Sequence, residues 1–425
     1  MQSTRLPNGV RVVSESLADL ASVTAGIWVE NGSRYEQPEQ AGISHFLEHL
    51  FFKGTERRTA AGIAEEMDAV GGVLNAFTGK EYTCYYAKVL CEHLPMALDL
   101  LADIFTHSTF PSEEVERERS VVIQEISQAE DTPDDYVHEL FNTAFWPGHP
   151  LARPIAGTPA TVSALNRDHF LAFLDARYRP DRILIAAAGN VSHEQLLAVA
   201  EQQFGGLAGT AVRVDGVPPT HRPGVSVHQK DLEQVHVCLG TPGISHTDQE
   251  RYAAHLLNMA LGGGMSSRLF QSVREEAGLA YSVYSAVDFH RDAGMLSIHL
   301  GVSPERGREA LARLRDELIT LTDRGPTEEE VEAARSQLRG SVLIGQESVS
   351  NRMFHLAHEE IYCRRYVPSE EQVARIGAVT MDQVMAVARR YLHPERFVLT
   401  ALGPAPGGPI GDEDWRVARG VEAAA

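Results

Sequence analysis

Residues 8–30 read NGVRVVSESLADLASVTAGIWVE, and residues 224–244 read GVSVHQKDLEQVHVCLGTPGI. Each is a pair of short runs with alternating apolar positions, interrupted by a polar turn. Period-two alternation places one face of a strand against a core, so each stretch predicts two strands. The resemblance continues outward. A helix follows in each half, over 41–54 and 250–262. A helix with a hairpin comes next, over 60–90 and 266–302, and then a longer helical region, over 92–145 and 304–365. Each half contains a last apolar strand, DRILIAAAGN at 181–190 and ERFVLTALGP at 395–404. The chain therefore reads as a duplication. Strands joined by hairpins and mixed with helices predict an α+β class, with two homologous domains, each a largely antiparallel sheet packed with helices. The Gly- and Pro-rich run between the halves marks a linker at 209–223. The expected division is a first domain at 1–208, a second at 224–404 and a flexible tail at 405–425.

Composition narrows the class. A chain of 425 residues is long for one core, so two domains are expected. The hydrophobic fraction is 43% and the charged fraction 23%, as in water-soluble globular proteins. No run of 18 apolar residues suits a membrane span. The start, MQSTRLPNGVRVV, has no apolar core of a secretory signal. Cys84, Cys91, Cys238 and Cys363 are scattered and form no CxxC pair, which argues against a disulfide framework. These features together predict a cytoplasmic protein. The net charge of −20 argues against nucleic acid and suits attraction of basic peptides.

Chemistry concentrates in AGISHFLEHLFFKGT, residues 41–55. His45 and His49 are four apart, so on a helix they share a face one turn apart. Two imidazoles so placed can grip one metal ion. Glu48 lies beside them, where a general base for water at the metal belongs. The order H-x-x-E-H inverts the H-E-x-x-H zinc-peptidase motif. A catalytic zinc needs a third protein ligand and an open position. The candidate segment is SEEVERERSVVIQEISQAED, residues 112–131. Ser112 reads as an N-cap, and Glu113 and Glu114 suit a first turn. Val115, Val122, Ile123 and Ile126 form an apolar stripe. Glu118 and Glu125 share nearly one face. Glu125 is flanked by Ile123 and Ile126, which places it near the buried side, where a carboxylate needs a partner.

With these residues the sequence resembles the pitrilysin–insulinase family of inverted-zincin metallopeptidases. The closest likeness is to the β-subunit of mitochondrial processing peptidase and its bacterial relatives. In that family the third ligand follows the second histidine by about 76 residues, the separation of His49 and Glu125. Further matching segments are LPNGVRVV, GGVLNAFTGKEYTCYY (71–86), GHPLARPIAGT (148–158) and LGGGMSSRLFQSVREEAGLAYSVYS (261–285). The resemblance spans nearly the whole chain. It implies one zinc per chain, held by His45, His49 and Glu125, with Glu48 as base and Glu118 in support near the metal. It implies that an edge strand bearing Asn75 and Ala76 pairs with extended substrate. Arg274 and Tyr281 would reach the reacting carbonyl, and Asp135 and Glu139 would engage an arginine near the cleaved bond. Read on their own, Arg274 looks like a solvated helix end and the two acids like a solvated acidic turn.

The second half does not repeat the motif. Alignment on the following glycine puts Ala253, Leu256 and Leu257 where the first half has His45, Glu48 and His49, and leaves His255 alone. The family shares this arrangement of one metal-bearing and one inert domain, which together form a half clamshell. The expected activity is zinc-dependent endopeptidase cleavage of extended, basic peptides by a homodimer. Two alternatives differ in class. One is a non-catalytic scaffold subunit, or the partner chain of a heterodimeric peptidase. The other is a peptidase dedicated to one small modified peptide. The intact four-residue set favours an enzyme over a scaffold.

Overall fold

Valines and alanines at strand spacing build two sheets, and helices cover both faces of each. The structure is a computed structural model and describes residues 1–212, 217–404 and Trp415. Of the expected linker, 213–216 lie outside the described residues, as does the expected tail apart from Trp415. The chain folds into two units, each built from separate stretches of sequence. Unit 1 is Met1–Gln128, Arg153–Val217 and Ile344–Val367, and unit 2 is Ala129–Ala152, Pro218–Leu343 and Pro368–Ala425.

Unit 1 holds strands β1 (Gln2–Arg5), β2 (Arg11–Ser16), β3 (Ser22–Val29), β4 (Val73–Thr78), β5 (Thr83–Leu90) and β6 (Ile183–Gly189). Their order is β1-β2-β6-β3-β5-β4. Only the β2–β6 pairing is parallel. Strand β1 was not anticipated from the sequence. Seven of the eight β3 residues are buried, because both faces of the sheet are covered. On one face Ile27, Tyr85 and Ile185 pack with Phe46, Leu50, Leu101 and Phe170. On the other, helix Val349–Cys363 lays Met353, Leu356, Ala357 and Ile361 on Val13, Trp28 and Leu184. The spacing of those four residues is that of one helical face.

Unit 2 holds β7 (Gly224–Gln229), β8 (Val235–Pro242), β9 (Ala280–Phe289), β10 (Gly294–Val302) and β11 (Val398–Gly403). Their order is β7-β11-β8-β10-β9, with only β7–β11 parallel. Replacing β2, β6, β3, β5 and β4 by these strands in turn reproduces the order of unit 1 and the sense of every pairing. The duplication read from the two opening pairs of strands thus extends to the topology, with a later strand inserted between the members of each pair. One face of this sheet packs Leu239, Ile298 and Leu399 with Leu257, Leu314 and Leu318. The other is covered by helix Pro133–Phe145, whose Val137, Phe141 and Phe145 meet Cys238, Met295 and Val398. The approach is close enough that a Cβ on Gly240 would lie 2.4 Å from Phe141 Cζ. Trp415 is anchored by its indole N–H, which donates to the Pro394 carbonyl at 3.1 Å. Among the described residues no helix is long and apolar enough to cross a membrane.

Candidate metal centre

The helix that carries the histidines, Ile43–Leu50, has no Ser, Thr, Asp or Asn at its N-cap; Gly42 stands there in the left-handed region at φ 95°. The start of a helix leaves backbone N–H groups unpaired. Here the Glu36 carboxylate, six residues earlier, accepts the N–H of Gly42 and of Ser44, each at 2.9 Å. Burial pushes the Glu36 carboxyl up to about 7, against the lowering effect of these two bonds. Residues 153–158, the end of the GHPLARPIAGT segment, are packed against the same helix start. A Cβ on Gly157 (φ 78°) would lie 2.3 Å from the Ala41 carbonyl oxygen, and one on Gly42 2.5 Å from that of Ala156. Both positions require glycine on steric and on backbone grounds. Arg153 of this segment donates to the Glu36 carbonyl at 3.0 Å.

With its start fixed, the helix buries Ile43, Phe46, Leu47 and Leu50 and turns the histidines to the opposite side. The His45 and His49 ring centroids are 4.9 Å apart. Glu125, on helix Ser112–Asp131, brings Oε2 to 3.4 Å from His49 Nε2 and 3.8 Å from His45 Nε2. Ligand atoms around a tetrahedral zinc, with bonds of about 2 Å, stand roughly 3.3 Å apart. The three atoms lie within 4.8 Å of one another, so the set fits such an ion. His45 Nδ1 is buried without a hydrogen-bond partner among the described residues. Burial, aided by the charge of His49, lowers the His45 imidazole to about 4. It is therefore neutral at pH 7, the form that binds metals.

The supporting residues are equally specific. His49 Nδ1 faces Glu118 Oε2 at 3.2 Å, and Lys53 Nζ pairs with Glu118 Oε1 at 2.8 Å. A proton on Nδ1, held by the carboxylate, leaves the Nε2 lone pair directed toward Glu125. Glu48 accepts a hydrogen bond from the Thr78 hydroxyl at 2.5 Å. Burial raises the Glu48 carboxyl, with the Thr78 bond and the charge of His49 acting against it. Thr78 ends strand β4, which lies at the sheet edge and pairs only with β5. Asn75 on this strand is exposed, and its Oδ1 accepts the Ala76 N–H at 2.8 Å.

Two expectations change at this point. The Glu125 side chain is 45% exposed, whereas Glu118 is the buried carboxylate, at 6%. Flanking isoleucines did not assign the buried face, because a neighbour on a helix is turned by about 100°. Ser112 lies inside the first turn, since the Val115 N–H already bonds to the Pro111 carbonyl. Thr78, Lys53 and Glu36 were not recognised in the sequence. Glu36 and Thr78 stand at no helical spacing from the histidines, whereas Lys53 is four residues after His49, a spacing that could have singled it out.

The remaining candidates lie in unit 2. Asp135 is exposed and Glu139 partly so on helix Pro133–Phe145. Arg274 belongs to a π-helical turn, Phe270–Glu276, and its guanidinium sits 4.6 Å from the Phe270 ring centre and 5.3 Å from that of Tyr281. Tyr281 is 79% exposed. At the positions that match the first-half motif, Ala253, Leu256 and Leu257 are buried in an apolar core. His255 packs on the Phe289 ring, and burial lowers it to about 4.

Two family models match the chain in succession. Residues 11–159 match the model of insulinase (peptidase family M16), and residues 164–338 match that of the peptidase M16 inactive domain. The chain is 41% identical to YmxG of Bacillus subtilis, over 95% of this chain and 98% of that one. It is 43% identical to a Mycobacterium tuberculosis protein, over 94% and 92%. Both relatives carry the name of uncharacterized zinc protease. Among solved structures, a protease from Helicobacter pylori superposes with a TM-score of 0.90 at 22% identity, covering 95% of this chain and 99% of that one. A Pseudomonas fluorescens structure, described as a peptidase M16 inactive domain, gives 0.89 at 21%, over 96% and 98%. These two establish the likeness of fold. Taken with the sequence relatives, they lead to one conclusion: the chain belongs to the insulinase, or M16, family of peptidases.

Proposed function

We propose that this chain is a zinc-dependent endopeptidase that cleaves extended peptides. The observation that carries the reading is the convergence of His45, His49 and Glu125 donor atoms beside Glu48, next to a sheet-edge strand. Zinc held by these three residues supplies Lewis acidity toward a peptide carbonyl. Glu48 takes a proton from the attacking water and returns it to the departing amine, so the carboxylate is regenerated. Thr78 holds the Glu48 oxygen in position for that transfer. Glu118 fixes the ring of His49. The unpaired edge of β4, with Asn75 and Ala76, suits addition of a substrate strand, which favours unfolded segments over folded domains.

Three finer assignments belong to the same reading. Asp135 and Glu139 favour basic residues near the cleaved bond. Arg274 and Tyr281 stabilise the developing oxyanion, for which a cation and a phenol are suitable partners. The working form is a homodimer with one catalytic zinc in each chain.

The test is metal analysis of the purified chain together with cleavage of an arginine-containing peptide. Activity that disappears with a chelator and returns with zinc is expected, and it should be absent from Glu48→Gln protein that still holds zinc at the His45–His49–Glu125 site. Zinc-loaded wild-type protein that cleaves no unfolded basic peptide would favour the scaffold reading.

A further inference from the structure

Unit 2 gathers a second group of metal-ligating side chains on the sheet face beneath helix Pro133–Phe145. His236 is on β8 and His299 on β10. The ladder pairs His299 with Cys238 and His236 with Gly301, so the two histidines project from one face on neighbouring strands. Asp134, in the first turn of the covering helix, meets both. Its Oδ1 is hydrogen-bonded to His236 Nδ1 at 3.0 Å and lies 3.3 Å from His299 Nε2. These are the spacings of ligand atoms around one tetrahedral ion, roughly 3.3 Å. The three donor atoms lie within 4.8 Å of one another, as in the first site.

A second observation points to a ligand. The His299 side chain is 1% exposed, and neither of its ring nitrogens makes a hydrogen bond to the described residues. A neutral imidazole has one N–H donor and one acceptor. Leaving such groups buried without a hydrogen bond is unfavourable. Asp134 is close to Nε2 yet makes no hydrogen bond with it. An ion between them would engage the Nε2 lone pair and the carboxylate together. The neighbouring side chains fix the ring. His138 stacks on His299 at 5.3 Å between centroids, and Tyr284 lies 5.1 Å away on the same ring. His138 is itself held by the Tyr284 hydroxyl, 3.0 Å from its Nε2. The Asp134 side chain is 64% exposed, so an ion can enter from solvent.

We infer that Asp134, His236 and His299 form a second metal site, which takes a first-row divalent ion such as zinc. Two imidazoles and a carboxylate are a donor set for zinc, nickel or copper rather than for calcium or magnesium. The ion ties the first turn of the covering helix to the two strands below it. The second site is independent of the peptidase chemistry, because none of its residues belongs to the His45–His49–Glu125 centre.

The experiment counts bound zinc. Full-length protein is stripped with chelator, loaded with excess zinc, passed through gel filtration in metal-free buffer and assayed by elemental analysis. Wild type should retain two ions per chain. His49→Ala protein should retain one, as should Asp134→Ala protein. The His49→Ala, Asp134→Ala double variant should retain none. Asp134 is largely exposed, so its loss leaves the fold intact. His236→Gln provides a check from the other side of the ion. Zinc should also raise the melting temperature of His49→Ala protein and leave that of the double variant unchanged. One ion in wild type with none in His49→Ala protein overturns the proposal. So does a second ion that survives both Asp134→Ala and His236→Gln.

Discussion

Glu36 is a buried carboxylate and Glu48 a partly buried one, both raised by desolvation, yet they have different tasks. Glu48 has a hydroxyl partner in Thr78 and stands beside the metal ligands. Replacing it with glutamine keeps the size and the Thr78 contact but removes the proton acceptor. Glu48→Gln should therefore retain zinc at the first site and lose kcat by about 100-fold or more. His49→Ala or Glu125→Ala should instead lose that zinc, as read by elemental analysis. Glu36 acts on structure, through the start of the histidine helix. Its pKa is about 7 in the folded chain, against an ordinary value of 4.5 once unfolded. Between these values the folded state holds a proton that the unfolded state has released. Stability thus falls as pH rises, because the unfolding free energy declines wherever the native state binds more protons. The contribution is complete below pH 4.5 and is lost as pH rises through about 7. Glu36→Gln cannot titrate. The unfolding free energy of metal-free wild type, minus that of Glu36→Gln, should drop between these pH values by on the order of 3 kcal/mol. A flat difference in denaturant titrations across the range would show that the carboxylate stays charged in the folded chain.

Elements decide what a residue can reach, and here the sequence was unevenly legible. Helix Pro133–Phe145 sets Asp135 and Glu139 one turn apart, while Val137, Phe141 and Phe145 face the sheet. Asp135→Asn with Glu139→Gln should lower kcat/KM for arginine-containing peptides about tenfold, an effect of roughly 1.4 kcal/mol. The matched neutral peptides should change little; an equal loss on both would place the acids outside substrate recognition. The neighbour Asp134 shows where sequence reading stopped. It stands 102 positions from His236, and only the packing of helix on sheet brings the two together. Nothing periodic marks such a pair. The His45–His49 pair, by contrast, lies within one helix, where spacing alone fixes proximity. The strand pairs within 8–30 and 224–244 were legible for the same local reason, since alternation is a property of one strand; that β6 and β11 insert between their members was not. The face assigned to Glu125 went wrong because one turn of helix offers several rotations for the same apolar neighbours. The docking of Met353 and Leu356 on β3 and β6 was hidden too, because an amphipathic helix states that it has a partner without saying which.

At the scale of the whole molecule, the duplication leaves one unit with the His45–His49–Glu125 cluster and the other with the Arg274–Tyr281 pair. The guanidinium is already stacked on Phe270 and Tyr281, and Tyr281 remains 79% exposed. A π-helical turn such as Phe270–Glu276 is frequent at functional sites. In the long members of the family that this chain resembles, four such domains occur in one polypeptide, with zinc in the first and the arginine–tyrosine pair in the fourth. Two such domains would obtain the same complement by pairing with a second copy, and a closed two-fold dimer is the commonest soluble assembly. We expect Arg274 and Tyr281 to serve the zinc site of the partner subunit. Glu48→Gln and Arg274→Ala proteins should each be nearly inactive alone. Once they exchange subunits, a quarter to a half of the normal site activity should return, because each mixed dimer holds one intact site of zinc, Glu48 and Arg274 beside one doubly impaired site. Exchange is followed by native mass measurement with one partner isotopically labelled. Confirmed exchange without recovery would place the pair in the service of its own chain or outside catalysis, and full activity in a strictly monomeric protein would exclude the shared site directly.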